Sequence, residues 1–515
     1  MAVAAAALSM YFGSGAVREE GVAGHTYADR SVQGLVSSSA TSEAFVGDGE
    51  TFRLEAFPVV KRVGQFDIRM YGYNGEIPGP LIRVGQGSSI KVNFTNMLGF
   101  DTTVHWHGLR LDNEFDGVPG VTQDPVKSGS SFVYELKFPD YGVYWYHPHV
   151  REDLQQELGL YGMIIVDPAD GNVYSDVDSE STVFLDDIKV DGSDVDQFSG
   201  DYARFALMGR FGNMLFVNGD TFYERDAKAG DVVRFYFVNS ANVRTFNISF
   251  DGAKMKIVGG DSGRYQSEFF SDSFVISPGE RYIVDVLFEK SGNHRILHTT
   301  PYGTVDIGVV RVSGKSGVSP KSFSVGGSVD RDFPDSGEMS RYILKRPDAE
   351  IELSVDMGGM MQGGMGGMDH SMHGGAMMGS SVDDVEWEDD MGMMNSASTS
   401  DAVRWIIRDV ATGRENEDLM MDAKVGDRMK LRISNPINSM HPMQHPIHLH
   451  GQRFLVLSEN GRMNDNFVWK DVVLVKKGAV VDLMVDFTNP GDWMIRCHIP
   501  EHMESGMMAK FEVSR

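Results

Sequence analysis

The chain has 515 residues, a formal net charge of −26 and one cysteine. This length predicts about three domains of roughly 150 residues each. The negative charge argues against nucleic acid or an anionic membrane surface as a partner and favours the attraction of cations. One thiol cannot form an internal disulfide, so the cysteine count leaves the redox compartment open.

The first fifty residues are predicted to lie outside the folded body. Residues 1–17 are uncharged and rich in alanine, which is typical of the apolar part of a secretory signal or of a membrane-anchor remnant, although no basic segment precedes them. Residues 18–50 are rich in Ser, Gly and Ala and predict a flexible tether. This interpretation gives an extracytoplasmic protein, whether periplasmic, secreted or anchored facing outward; the alternative is a disordered chain end.

Short segments with alternating apolar residues predict β-strands at residues 51–60, 132–138, 274–276, 282–288 and 480–487. One ten-residue pattern, with glycine first, a basic residue fifth and asparagine tenth, occurs at 87–96, 230–239 and 426–435. Its recurrence indicates a triplicated sandwich, although similar strands also arise independently in β proteins. Helical signals are weak, with a possible turn at 152–158. The prediction is an all-β protein of Greek-key sandwiches at residues 51–168, 169–318 and 335–515.

Three segments concentrate histidine. They read His105-Trp106-His107, His147-Pro148-His149 and His445-Pro446-Ile447-His448-Leu449-His450. In an extended strand, residues i and i+2 point to the same face. Each His-x-His pair can therefore offer two imidazoles to one cluster, and such clustering is hard to explain without a metal.

Residues 356–395 form an insertion dominated by Met, Gly, Asp and Ser, without the period of a helix or a strand. Thioether sulfur is a soft ligand that selects Cu(I). The insertion is therefore predicted to be a flexible strip that gathers cuprous ions. The alternative is a low-complexity loop whose methionines are incidental or act as an oxidation sink.

The only cysteine lies in the C-terminal segment Arg496-Cys497-His498, which is followed by His502 and Met507. A thiolate, two imidazoles and a weak axial thioether form the ligand set of a blue-copper site. Cys497, His502 and Met507 offer three of these ligands, and the histidines at 445–450 can supply the fourth. Because neighbouring residues of a strand face opposite ways, Arg496 and His498 are predicted to face the histidine-rich site.

These segments, in this order, resemble the four copper motifs of the multicopper oxidases, a family that includes laccases and bacterial cuprous oxidases. The resemblance implies three cupredoxin domains, with copper motifs in the first and third and the second acting mainly as a spacer. It implies that the type 1 copper ligands are His445, Cys497, His502 and Met507. It further implies that His105 and His448 hold the type 2 copper, and that the binuclear type 3 centre is held by His107, His147, His149, His450 and His498.

Two further positions bear on oxygen reduction. Asp116 resembles the family's acid near the type 2 copper, which helps protons to reach the cluster; the alternative is an ordinary Asp-Gly turn. Arg496 stands where the family has a type 3 histidine, and guanidinium has no lone pair with which to ligate copper. Three interpretations remain: the type 3 pair tolerates five imidazoles, the cluster loses a copper, or the arginine is an engineered or sequencing variant.

The leading interpretation is a cuprous oxidase for copper detoxification, in which Cu(I) gives one electron to the type 1 copper. Cys497 passes the electron on through His498, and four electrons reduce dioxygen to water. The residues predicted to contact Cu(I) are Met357, Met360, Met361, Met365, Met368, Met372, Met440, His441, Met443, Met503 and Glu504. The alternatives are a laccase-like oxidase of phenols or other metals, and a copper-binding or electron-transfer protein whose cluster is impaired by Arg496.

Overall fold

The computed structural model describes residues 29–171, 173–315, 323–326, 332–358 and 385–515. β-Strands dominate these parts of the chain and form six large sheets arranged as three pairs. The described helical segments are short: α-helices at Glu152–Gln155, Ser336–Leu344, Gly392–Ala397 and Pro500–Glu504, and 3₁₀ turns at Asn113–Phe115 and Asn416–Asp418. Within the described ranges, we find no helix of the length and apolarity that a bilayer crossing requires. The all-β prediction is confirmed.

The first pair of sheets contains both early histidine pairs. Its four-stranded sheet has the spatial order Phe66–Tyr73, Thr51–Val63, Ser89–Asn96, Ser131–Lys137. Its five-stranded sheet has the order Glu43–Phe45, Leu81–Gly85, Gly162–Asp167, Gly142–His147, His105–His107. Side chains from both sheets, among them Leu54, Phe94 and Ile164, share one buried core.

The prediction of a flexible tether is wrong for part of residues 29–50. Glu43–Phe45 pairs in parallel with Leu81–Arg83 and forms the edge of the five-stranded sheet. The backbone N–H of Ser38 donates to the carbonyl of Val60 at 2.8 Å. Backbone pairing thus orders a segment whose small, polar composition by itself predicts flexibility.

The second pair of sheets spans residues 179–315. The six-stranded sheet has the order Met214–Val217, Ser179–Ile188, Val232–Asn239, Arg281–Leu287, Lys254–Gly260, Gly263–Ser271. The five-stranded sheet has the order Tyr223–Ala229, Gly303–Lys315, Gly292–Thr300, Phe246–Phe250, Phe274–Ile276. A small ribbon joins Val190–Asp191 to Asp194–Val195.

The third pair of sheets contains the last two histidine-bearing segments. One sheet has the order Arg404–Asp409, Ala349–Asp356, Arg428–Ser434, Val480–Asp486, Arg453–Glu459, Arg462–Met463. The other has the order Met420–Lys424, Met508–Ser514, Gly491–Cys497, His445–Leu449, Val472–Val475. In its register, Ile447 lies opposite Cys497 and His448 lies opposite Arg496.

The repeated ten-residue pattern marks the same strand in all three sandwiches. Each copy forms a strand that pairs in parallel with one neighbour and antiparallel with the other. Its final asparagine, at Asn96, Asn239 or Asn435, is buried, and its side-chain amide donates to at least two backbone carbonyls. A side chain that satisfies several buried carbonyls explains why asparagine recurs there.

Candidate metal centre

The four residues predicted to hold a type 1 copper lie together in the core of the third sandwich. The Sγ atom of Cys497 is 3.6 Å from His445 Nδ1 and 3.7 Å from His502 Nδ1. The backbone N–H of Cys497 donates to the carbonyl of Met507 at 3.1 Å, and Met507 is buried. The Trp405 indole packs against both imidazoles, with ring centroids 4.8 Å from His445 and 4.2 Å from His502.

Burial prepares these groups for a soft metal. It lowers the pKa of His445 to about 3, with a smaller contribution from His441, so the imidazole is neutral. It raises the pKa of the Cys497 thiol to about 12. Neutral imidazole is the form that ligates, and a bound metal deprotonates a coordinating thiol. A thiolate with two imidazoles and a thioether fits copper.

A second cluster of buried imidazoles joins the first and third sandwiches. Its ring centroids lie as close as 3.9 Å for His107 and His448, and 4.2 Å for His105 and His450. Two groupings place three potential ligand atoms within 4.8 Å of one another: His105 with His107 and His448, and His107 with His147 and His498. Within this cluster of described residues, the buried Nε2 atoms without a hydrogen-bond partner are those of His105, His147, His149, His448 and His450. Buried nitrogens with free lone pairs fit copper.

Hydrogen bonds on the far side of the rings hold the free nitrogens inward. The Nδ1 atoms of His105 and His448 are 2.8 and 2.9 Å from the backbone carbonyls of Asp116 and Asp471. Nδ1 of His450 is 2.9 Å from an Asp116 carboxylate oxygen. Such partners fix the tautomer and orientation of a ligating imidazole.

Asp116 therefore touches two predicted ligands, His105 and His450, and is itself buried. The turn after it needs glycine. Gly117 has φ +81°, and a Cβ atom there would lie 2.0 Å from the carbonyl oxygen of Val104. The role of Asp116 in delivering protons to the cluster remains a prediction.

Asp471 was not predicted from the sequence, although it forms a hydrogen bond with the predicted copper ligand His107. One of its carboxylate oxygens accepts a hydrogen bond from Nε2 of His107 at 2.9 Å. Both oxygens accept from the Arg281 guanidinium at 2.6 Å. Arg281 belongs to the second sandwich, so the interpretation of that domain as mainly a spacer is incomplete. Nothing near Asp471 in the sequence marks it, because His107 is 364 residues away.

Arg496 is buried and faces the histidine cluster. Its Nη2 donates to Oε1 of Glu152 at 2.9 Å, and that oxygen is 3.2 Å from Nδ1 of His147. Burial alone would raise the pKa of Glu152, but Arg496 and His147 hold that pKa below its usual range. The carboxylate is thus ionised and pairs with the guanidinium. Glu152 follows the second histidine pair in sequence but was not predicted as a partner.

The residues predicted to contact Cu(I) divide into three groups. Met360, Met361, Met365, Met368 and Met372 lie outside the described residues. Met357, Met443 and Met503 are buried, Glu504 is half-buried, and Met440 is 58% exposed. His441 is half-buried, and its Nε2 lies 3.1 Å from Sδ of Met208, a residue of the second sandwich region that was not predicted.

The His441–Met208 contact lies next to the type 1 ligands. The ring centroid of His441 is 6.1 Å from that of Trp405, the ring that packs on His445 and His502. The backbone N–H of Met208 donates to the side-chain oxygen of Asn395 at 2.9 Å. The C-terminal end of the methionine-rich insertion is therefore attached to this contact.

Comparison with known proteins gives consistent matches. Three family models, each described as multicopper oxidase, match residues 59–171, 189–312 and 388–515. Multicopper oxidase MmcO of Mycobacterium tuberculosis is 27% identical over 490 residues, covering 85% of this chain and 82% of that protein. Laccase-4 of Trametes villosa is 26% identical over 474 residues, covering 85% and 84%.

Solved structures share the architecture. A multicopper oxidase from Campylobacter jejuni, described as a metallo-oxidase, superposes with a TM-score of 0.71 at 22% identity, covering 95% of this chain and 100% of that one. A multicopper oxidase from Pseudomonas thermotolerans gives a TM-score of 0.67 at 25% identity, covering 92% and 100%. The three cupredoxin-like sandwiches are thus a shared fold.

Proposed function

The chain belongs to the multicopper oxidase family, and on that premise we propose that it oxidises Cu(I) beside its type 1 centre. The protein is a copper-dependent oxidoreductase that uses dioxygen and a reducing substrate. Bound copper supplies one-electron acceptance at the type 1 position and the reduction of dioxygen to water in the histidine cluster. The finer proposal concerns the identity of the electron donor.

We assign the ligands as the sequence motifs suggest. His445, Cys497, His502 and Met507 would hold the type 1 copper. His105 and His448 would hold the type 2 copper, and the two type 3 positions would be lined by His107, His147, His149, His450 and His498. Cys497 joins the two sites covalently, because the next residue carries its imidazole into the cluster, where Nε2 of His498 lies 3.3 Å from Nδ1 of His107.

The His441–Met208 contact carries the proposal that the donor is Cu(I). An imidazole nitrogen and a thioether sulfur 3.1 Å apart can close on one soft cation. The ring of Trp405 lies between the two sites, with its centroid 6.1 Å from that of His441 and 4.2 Å from that of His502. Asn395 ties the same point to the methionine-rich insertion, whose thioethers would gather cuprous ions. Cu(I) would therefore be bound close enough to the type 1 ligands to deliver its electron.

A second candidate donor is a phenol, because the similar protein from Trametes villosa is named a laccase. The two donors make different demands on the chain. Cu(I) needs soft ligand atoms, whereas a phenol needs only access to the type 1 ligands. As part of the same proposal, oxidation of Cu(I) would serve copper detoxification, and the uncharged, alanine-rich residues 1–17 support an extracytoplasmic location.

Oxygen uptake by the Met208→Leu variant tests the proposal. Leucine conserves the volume of methionine in a buried position but removes the sulfur. We expect the KM for Cu(I) to rise about tenfold, equivalent to about 1.4 kcal/mol, while phenol-driven uptake and the blue absorbance stay unchanged. Met255→Leu, a buried methionine in the core of the second sandwich, is the matched control.

Three results would contradict the proposal. Met208→Leu could keep the wild-type KM for Cu(I), or Met255→Leu could change it as much. The wild type could also consume oxygen with a phenol and not with Cu(I), which would favour the laccase-like activity.

A further inference from the structure

The seven imidazoles of the histidine cluster divide into three positions. His107, His147 and His498 place three potential ligand atoms within 4.8 Å of one another, and His105 and His448 form such a group with His107. The third position has two imidazoles, His149 and His450, with ring centroids 5.3 Å apart, and His450 forms a group of three only with His105 and the Asp116 carboxylate. Among the described residues, His149 belongs to no group of three potential ligands.

Arg496 stands beside the cluster in place of a further imidazole. In the sheet it lies opposite His448, two residues before His498, which follows the end of the strand. The positive charge of Arg496 acts directly on the imidazoles of His149 and His450. Its side chain is completely buried. A guanidinium has five N–H donors and no acceptor, so it cannot ligate, and its fixed charge opposes a metal cation nearby.

Glu152 keeps the guanidinium in this place. Its carboxylate oxygen Oε1 accepts from Arg496 Nη2 at 2.9 Å and also lies 3.2 Å from His147 Nδ1. Both charged groups are fully buried. Moving the arginine outward would leave Glu152 as an uncompensated buried charge, which is strongly unfavourable. The ion pair is therefore a fixed part of the cluster wall.

We propose that the Arg496–Glu152 pair closes the His149–His450 position to copper, so that the type 1 site and the histidine cluster together take three copper ions. One ion would occupy the type 1 site. The other two would occupy the positions of His105 with His448 and of His107 with His147 and His498. Of the three interpretations that the sequence leaves open, this geometry favours the loss of one copper.

The test is a copper count on the copper-loaded protein, dialysed to remove loosely held ions and measured by mass spectrometry. We expect three copper ions in the wild type and one more in Arg496→His. A histidine there can donate one ring N–H to Glu152 and offer its other nitrogen to copper. Arg234→His is the matched control, because Arg234 forms a buried ion pair with Asp285 in the second sandwich. The control is expected to keep the wild-type count.

Crystals of the copper-loaded wild type give a second readout through anomalous scattering at the copper edge. We expect one peak among the type 1 ligands, two in the cluster and none between His149 and His450. A peak there would overturn the proposal even if Arg496→His failed to fold. A folded Arg496→His with the same count as Arg234→His would also overturn it. Peak positions separate copper in the cluster from copper held at the His441–Met208 contact, so the result is independent of whether Cu(I) is the donor.

Discussion

Replacing Asp471 by asparagine tests the link between the sandwiches and the metal cluster. The change keeps the shape of the side chain but removes the charge that faces the buried Arg281 guanidinium at 2.6 Å. Breaking a buried ion pair costs about 3–5 kcal/mol. Arg281 keeps Asp261 at 3.8 Å and the carbonyl of Val143 at 2.9 Å. Because these two contacts remain, we expect a cost at the lower end of this range, a loss of about 3 kcal/mol in the free energy of unfolding.

The same substitution weakens the hold on His107. Its Nε2–H donates to Asp471 at 2.9 Å, and an asparagine oxygen accepts that bond without the negative charge. Loss of such a partner typically lowers metal affinity about 10- to 100-fold. Because asparagine still accepts the bond, we expect about tenfold weaker copper binding in the cluster, or about 1.4 kcal/mol. Cys497, His445 and His502 make no contact with Asp471 in their described hydrogen bonds, so the blue absorbance should persist.

Dialysis of the copper-loaded variant against increasing chelator, with total copper and blue absorbance measured on each sample, separates the two sites. Asp285→Asn is the control, since Asp285 also accepts two bonds from a buried arginine, Arg234, but contacts no predicted copper ligand. The control should lose comparable stability in urea and keep its cluster copper. Wild-type copper retention in Asp471→Asn, or equal loss in the control, would refute the reasoning.

Two further predictions concern backbone strain and pH. Gly117→Ala should destabilise the protein by at least about 1–3 kcal/mol and loosen cluster copper, because φ is +81° and the new Cβ would meet the Val104 carbonyl oxygen; urea unfolding and a copper count check it. Burial, followed by Arg244, lowers the pKa of His298 to about 4. The unfolded chain therefore binds this proton first, and stability should fall by up to about 3 kcal/mol as the pH drops from about 6.5 to 4. His298→Gln should flatten that slope in calorimetric scans at several pH values.

The strands and the clustering of the histidines were predictable because their signals are local. Alternating apolar residues identified the strand Phe274–Ile276 as the structure has it, and placed Val480–Asp486 to within one residue. The His-x-His spacing predicted that His105 and His107 share a face, and both lie in the buried cluster. Short-range geometry suffices for such features, since a strand repeats every two residues.

The partners of the ligands were not predictable from the sequence. Glu152 is 344 residues from Arg496, and Met208 is 233 residues from His441. Lone charged residues are usually exposed, so neither Glu152 nor Arg281 carries a local sign of burial. The order of residues 43–45 was not predictable for the same reason, because Glu43–Phe45 pairs with Leu81–Arg83, a strand far away in the sequence.

Copper binding and the association of the three sandwiches should be coupled in this chain. His107 comes from the first sandwich, Asp471 from the third and Arg281 from the second, and hydrogen bonds join all three. Separating any two sandwiches would break a ligand position, its supporting hydrogen bond or the ion pair behind it. A ligand that binds only the assembled state stabilises it by mass action. Copper in the cluster should therefore stabilise the contacts between all three sandwiches, including the second, from which no ligand of the cluster is predicted.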